Sequence, residues 1–204
     1  MDNLPSCEVV DDSFVSCSSD DYFSVDGGSS ANSSSNLCDN ILAVFSDFSS
    51  NFNVVHINAQ SVPGHYNDLL ESFNNDIVDA ILISETFLKP SLPSTQFSIP
   101  GFKLIRNDRT EKGGGGVALY LRGDIPYNVV SLSPSVYSMS AEHIFVEVTL
   151  HHSKILVGVF YSPSLHIDYF NSLDSLFNDV CPTYDHFVLL DPTFLFTFLF
   201  HSRL

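Results

Sequence analysis

Positive charge is the scarcest resource in this sequence: 8 Lys and Arg stand against 24 Asp and Glu in 204 residues, for a net charge of −16. A chain so acidic is repelled by polyanions at long range, so any nucleic-acid site must be a local basic patch or a metal site. Cysteine is also sparse. Cys7, Cys17, Cys38 and Cys181 show no CxxC spacing and have no nearby His pair, which argues against a zinc site or a disulfide framework and for a reducing, intracellular setting. The N-terminus carries acid where a secretory signal needs a basic region followed by an apolar run. The apolar stretch Phe187–Phe200 is broken by Asp191 and Pro192 and is shorter than the roughly 20 residues a bilayer span requires. No membrane association is expected.

What is present divides the chain in three. Residues 1–50 hold nine acidic residues and no Lys or Arg, and they are dominated by Ser, Asp and Asn. Such a segment cannot bury enough apolar surface to offset its ordering entropy, so it is expected to be a disordered acidic tail whose partner the sequence does not name. From residue 51 to 191 short apolar runs alternate with stretches of helical spacing. Phe52–Ile57, Asp79–Ser84, Phe102–Arg106, Gly116–Leu121, Ile144–Leu150, Ile155–Tyr161 and Phe187–Leu190 read as strands. Tyr66, Leu69, Leu70, Phe73 and Ile77 mark one amphipathic helix, and Ile167, Phe170, Leu173, Leu176, Phe177 and Val180 a second. Several central strands follow one another directly, which predicts an α/β fold with hairpins: two β-sheets flanked by helices. Residues 192–204 (PTFLFTFLFHSRL) form a separate apolar tail.

Four local features could carry chemistry. Asn58 lies in HINAQ, at the end of the first strand, where α/β folds place their sites; a strand-end Asn shaping a turn is the alternative. Glu85 follows an apolar run, and a carboxylate there is costly unless it is paired or holds a cation; a helix or turn cap with a solvent-facing carboxylate is the alternative. Mg²⁺ suits it, being held by one or two carboxylates together with phosphate and water. Six of the eight basic residues fall between Lys89 and Arg122, and Arg106, Arg109 and Lys112 precede the four glycines Gly113–Gly116. This is the one place where a polyanion would meet positive charge, and the glycines let backbone approach closely. They form no GxxxxGK[ST] phosphate loop, and a solvated hairpin loop is the alternative. Tyr161, at a strand end before Ser162-Pro163, is placed to point its hydroxyl into a cleft or to pack at a sandwich corner.

The ordered segments HINAQS, ISETFLKP, RNDRTEKGGGGVALYLR, AEHIFVEV, GVFYSP and DHFVLLD resemble the endonuclease domains of non-LTR retrotransposons, the apurinic-endonuclease-like branch of the endonuclease/exonuclease/phosphatase superfamily. The resemblance spans about residues 52–191. It implies a four-layer α/β sandwich that cleaves DNA phosphodiesters with Mg²⁺. By position, Asn58 would fix metal or phosphate, Glu85 would be the metal ligand, and Tyr161 would contact the scissile phosphate. Asp191 would orient or deprotonate the attacking water, and Arg106, Arg109 and Lys112 would meet DNA.

The departures are as informative. Where the family pattern reads Gly-Asp-Phe-Asn, this chain reads Leu190-Asp191-Pro192-Thr193, and no counterpart of the later Ser-Asp-His element follows. The resemblance therefore implies a partial sandwich, incomplete at its C-terminus, with open sheet edges, poor solubility and little catalytic activity. A frameshift in the underlying gene would produce such an ending. A non-catalytic protein whose acidic tail recruits a partner is the alternative function.

Overall fold

A computed structural model describes residues 8–11, 14–16, 52–73, 76–136, 140–150, 153–162 and 167–190. Its elements in chain order are β1 (Glu8–Asp11), β2 (Phe14–Ser16), β3 (Val54–Asn58), α1 (Val62–Ser72), β4 (Ala80–Ser84), β5 (Phe102–Asn107), β6 (Val117–Arg122), β7 (Tyr127–Leu132), β8 (Glu142–Leu150), β9 (Ser153–Tyr161), α2 (Ile167–Val180) and β10 (His186–Leu190). Short 3₁₀ turns occupy Ser94–Phe97 and Cys181–Thr183.

Two four-stranded mixed sheets form the body, one ordered β3-β4-β6-β5 and the other β10-β9-β8-β7. Their facing surfaces are built by period-two alternation. Val54 of β3, Ala80 and Leu82 of β4, and Val117, Leu119 and Leu121 of β6 meet Ile144, Val146 and Val148 of β8 and Val157 and Val159 of β9. The alternate residues face outward. Ile57, Ile81, Ile83, Ala118 and Tyr120 pack under α1 through Leu69 and Phe73, while Phe145, Leu156, Phe160 and Leu189 pack under α2 through Tyr169 and Leu173. Helix, sheet, sheet and helix make the four layers expected of the sandwich.

Gly158 shows how closely the outer layer is filled. A Cβ there would lie 2.4 Å from Phe145 Cδ1, 2.8 Å from the Ile144 carbonyl oxygen and 2.9 Å from Leu189 Cδ2. Gly158→Ala is accordingly expected to cost about 1–3 kcal/mol through overpacking. A urea titration checks it: the midpoint should fall with the slope unchanged, and an unshifted midpoint would refute the close fit.

Three strands lie outside the pattern read in the sequence. β7 lies at a sheet edge with Val129 and Leu132 exposed, so its residues face water on more than one side and carry no alternation to reveal it. β1 and β2 pair antiparallel inside the acidic segment where composition predicts no order. Val9, Val10, Phe14 and Val15 are β-favouring residues in an otherwise polar stretch, which is a local reason for the pairing. The remainder of residues 1–50 lies outside the described residues, as do Asp191 and the tail 192–204.

Candidate functional site

Both sheets contribute to one end of the sandwich. In the first sheet β3 and β4 run parallel and finish together, with Asn58 beside Ser84. β6 runs antiparallel to β4 and begins at the same end, Val117 opposite Ser84. In the second sheet β9 finishes and β8 begins at that end, with Tyr161 directly opposite Glu142. Tyr161 shares the inward side of β9 with Val157 and Val159, and Glu142 shares the inward side of β8 with Ile144 and Val146. Side chains from opposite sheets therefore converge.

The convergence is closed by a hydrogen bond: the Tyr161 hydroxyl donates to Glu85 Oε1 at 2.7 Å. Residues 76 apart in sequence, from different sheets, meet here. Burial and the adjacent Glu85 carboxylate push the Tyr161 phenol well above the usual tyrosine range, so it stays protonated and donates at any physiological pH. Glu85 is half-buried and adopts φ +52°, and Phe87 adopts φ +54°, both in the left-handed region that non-glycine residues rarely occupy. The turn is held in that form from outside. Thr86 N–H donates to the Gly116 carbonyl at 3.1 Å and Phe87 N–H to the Gly115 carbonyl at 2.9 Å. Strain fixed by surrounding contacts is characteristic of functional sites.

Asn58 stands at the same end, its Oδ1 accepting the Gln60 N–H at 3.3 Å. Below it His56 and Ser84 form a side-chain pair, Nε2 to Oγ at 3.3 Å. Burial lowers the His56 imidazole to about 4, so it is neutral at pH 7.

The basic segment is organised differently from its appearance in the sequence. Arg106 spends its guanidinium within the chain: Nε on Asp108 Oδ1 at 2.9 Å, one terminal nitrogen on the Leu92 carbonyl at 2.9 Å and the other on the Lys89 carbonyl at 2.6 Å. Lys89 in turn donates to the carbonyls of Arg109 at 2.8 Å and Lys112 at 3.0 Å. Arg109 is buried, and its Nε pairs with Glu142 Oε1. Lys112 is the exposed cation of the three proposed DNA contacts. The glycines do permit close approach, but to the protein's own chain. A Cβ on Gly115, at φ +65°, would strike the Arg109 guanidinium at 2.2 Å, and one on Gly116, at φ +83°, would meet Thr86 Oγ1 at 2.6 Å.

Glu142 is the participant that sequence reasoning missed. Its Oε1 receives Arg109 and its Oε2 receives the Gly116 N–H at 2.7 Å. The only hint in the sequence is position: it opens β8 on the side that faces inward.

The donor set defines what cation would fit. Among the described residues no group of three or more His, Cys, Asp and Glu gathers to hold a metal ion. Glu85 offers a single carboxylate, with the Asn58 amide oxygen at the neighbouring strand end. That set fits Mg²⁺, which binds through one or two carboxylates and takes its other ligands from water and phosphate, and it does not fit a cage made by protein alone. No helix among the described residues is long and apolar enough to cross a membrane.

No protein-family model and no curated protein matches the sequence. Solved structures do match the fold. A mannosyl-6-phosphatase from Bacteroides thetaiotaomicron aligns at 12% identity with a TM-score of 0.51, over 69% of this chain and 64% of that one. An endonuclease/exonuclease/phosphatase family protein from the same organism aligns at 13% identity and a TM-score of 0.51, over 69% of this chain and 61% of that one. The endonuclease domain of TRAS1, a telomere-specific non-LTR retrotransposon, aligns at 11% identity and a TM-score of 0.48, over 69% of this chain and 57% of that one. The chain thus spans 64% or less of the length of these structures. It has the endonuclease/exonuclease/phosphatase fold.

Proposed function

We propose that this chain is a Mg²⁺-dependent DNA endonuclease domain of the non-LTR retrotransposon type, with a site that holds metal and phosphodiester but hydrolyses weakly. The observation that carries the reading is the Tyr161–Glu85 hydrogen bond, which brings a phenol donor and a lone carboxylate together at the end of the sandwich. The retrotransposon type is supported by the six ordered sequence segments, and weak hydrolysis by the reduction of the Gly-Asp-Phe-Asn pattern to Asp191.

Each residue has a task in this reading. Glu85, with Asn58, would hold Mg²⁺, which when bound polarises the phosphoryl group. Tyr161 would turn its hydroxyl from Glu85 to a phosphate oxygen, donating to charge that grows toward the transition state. Exposed Lys112 would meet the DNA backbone at the rim. Asp191 would orient water. General acid–base assistance contributes roughly 10²–10⁴-fold, so a site short of such groups turns over slowly.

Two measurements test this. Mn²⁺, used as a paramagnetic probe, is expected to bind the full chain and to bind at least tenfold more weakly to Glu85→Gln. Plasmid nicking in Mg²⁺ is expected barely above the metal-free control and to vanish in Glu85→Ala. Metal binding indifferent to Glu85 would overturn the site, and vigorous nicking would overturn its weakness. DNA or protein binding that survives Glu85→Ala but is lost on deleting residues 1–50 would instead favour the acidic tail as the functional element.

A further inference from the structure

The structure assigns Glu142 the role of a positioning residue for the Glu85–Tyr161 pair, acting through the Gly116 amide rather than through its charge. This rests on the site proposed above.

The path is continuous and each link has a length. Glu142 lies directly opposite Tyr161 in the β8–β9 register, so the strand pairing fixes the two backbone positions against each other. Its Oε2 accepts the Gly116 N–H at 2.7 Å, crossing from the second sheet to the first. The carbonyl of the same Gly116 accepts the Thr86 N–H at 3.1 Å, and Thr86 sits between the two left-handed residues Glu85 and Phe87. The Glu85 carboxylate, set by that turn, receives the Tyr161 hydroxyl and closes the ring. Gly116 is pressed so close to buried Thr86 that a Cβ would lie 2.6 Å from Thr86 Oγ1, which leaves the link little slack. The other oxygen of Glu142 pairs with Arg109, whose guanidinium lies against the Gly115 backbone. A turn in an unfavourable backbone region relaxes once its external hydrogen bonds go. The Glu142–Gly116 bond anchors the strand end to which that turn is tied, so its loss lets Glu85 drift from Tyr161 without touching either residue.

Reach and charge are separable by substitution. Glu142→Asp keeps the charge for Arg109 but shortens the side chain by one methylene, so the carboxylate no longer meets the Gly116 N–H. The double variant Arg109→Met/Glu142→Gln removes one charge of each sign and keeps an amide oxygen at the original reach. Two readouts apply to the full chain at fixed neutral pH: Mn²⁺ affinity, and the ¹³Cζ chemical shift of Tyr161 in the absence of metal. Glu142→Asp is expected to weaken Mn²⁺ binding about tenfold and to move the Tyr161 resonance toward that of a solvent-exposed tyrosine. The double variant should stay within threefold of the parent on the first and match it on the second. A folded Glu142→Asp with parental values, or a double variant that loses both, overturns the proposal. Should Glu142→Asp fail to fold, Arg109→Met/Glu142→Leu, which is neutral and offers no acceptor to the Gly116 N–H, takes its place with the same expected loss on both readouts, and parental values there overturn the proposal. A parent chain whose Mn²⁺ binding ignores Glu85→Gln would sink the metal site, while the metal-free Tyr161 resonance would still report whether Glu142 holds the pair.

Discussion

Replacing Arg109 with methionine is expected to lower the stability of the folded chain by about 3 kcal/mol, the low end of the cost of removing one partner from a buried ion pair. Arg109 and Glu142 are both close to fully buried, at 5% and 12% side-chain exposure. The loss is not the value of the pair itself. Two charges taken out of water roughly repay their desolvation by attracting each other, so a well-made pair contributes little net. Removing only the guanidinium leaves the Glu142 carboxylate in the same poorly solvated place, still accepting the Gly116 N–H but without its counter-charge. The origin of the cost makes the companion prediction sharp. Adding Glu142→Gln to Arg109→Met removes the stranded charge and retains an oxygen for Gly116, so about 1–2 kcal/mol should return, a neutral buried hydrogen bond being cheaper than an unpaired charge. Urea denaturation of the parent, the single and the double variant closes the cycle. An Arg109→Met variant as stable as the parent would mean the carboxylate reaches solvent, and a double variant worse than the single would mean the charge is not what hurts.

This pair also shows where legibility in the sequence ended. Glu85 and Tyr161 stand out because each terminates an apolar run, and a polar group at the end of a buried strand is visible from its neighbours alone. Most strand positions are visible for the same reason: DAILIS and KILVGVF fill buried faces on both sides or in strict alternation. Glu142 has no such local mark. What makes it important is a hydrogen bond to Gly116 across the two sheets, a contact that depends on the register of β8 against β9 and of β4 against β6. Arg106 and Arg109 show the opposite case, a pattern that is plain in the sequence while the partners of its side chains are not. Clustered positive charge before glycines reads as a surface for a polyanion, yet the carbonyls of Lys89 and Leu92 and the carboxylates of Asp108 and Glu142 occupy those guanidinium groups. In an acidic chain with few cations, the cations are drawn into the protein's own loops first. β7 leaves no mark in the sequence because an edge strand with exposed Val129 and Leu132 carries no buried face to impose alternation.

Acidification should destabilise this chain well before its carboxylates titrate, and His56 is the main reason. Its imidazole belongs to β3, on the same inward side as Val54, where it meets the Ser84 hydroxyl. Burial lowers its pKa to about 4, from 6.5 in an unfolded chain. Between those values the unfolded chain binds a proton that the folded chain refuses. Stability therefore falls as pH drops through 6.5 and continues to fall until about 4, at a limiting slope of about 1.4 kcal/mol per pH unit for one proton. The whole window is worth about 3 kcal/mol. Burial lowers the His143 imidazole too, so it acts in the same direction. Asp79 opposes them: burial raises its carboxyl above the ordinary value, so the folded chain takes up that proton more readily as pH falls. A comparison of the parent with His56→Gln separates these contributions, because Gln stays uncharged and can still meet Ser84 Oγ. Urea titrations at pH 7.0, 5.5 and 4.5 are expected to converge: the variant should lose stability on acidification with a slope shallower by close to one proton. An identical slope in the two proteins would show that His56 is protonated without unfolding, and the β3–β4 end of the site would then have to accommodate a charged imidazole directly beneath Asn58 and Glu85.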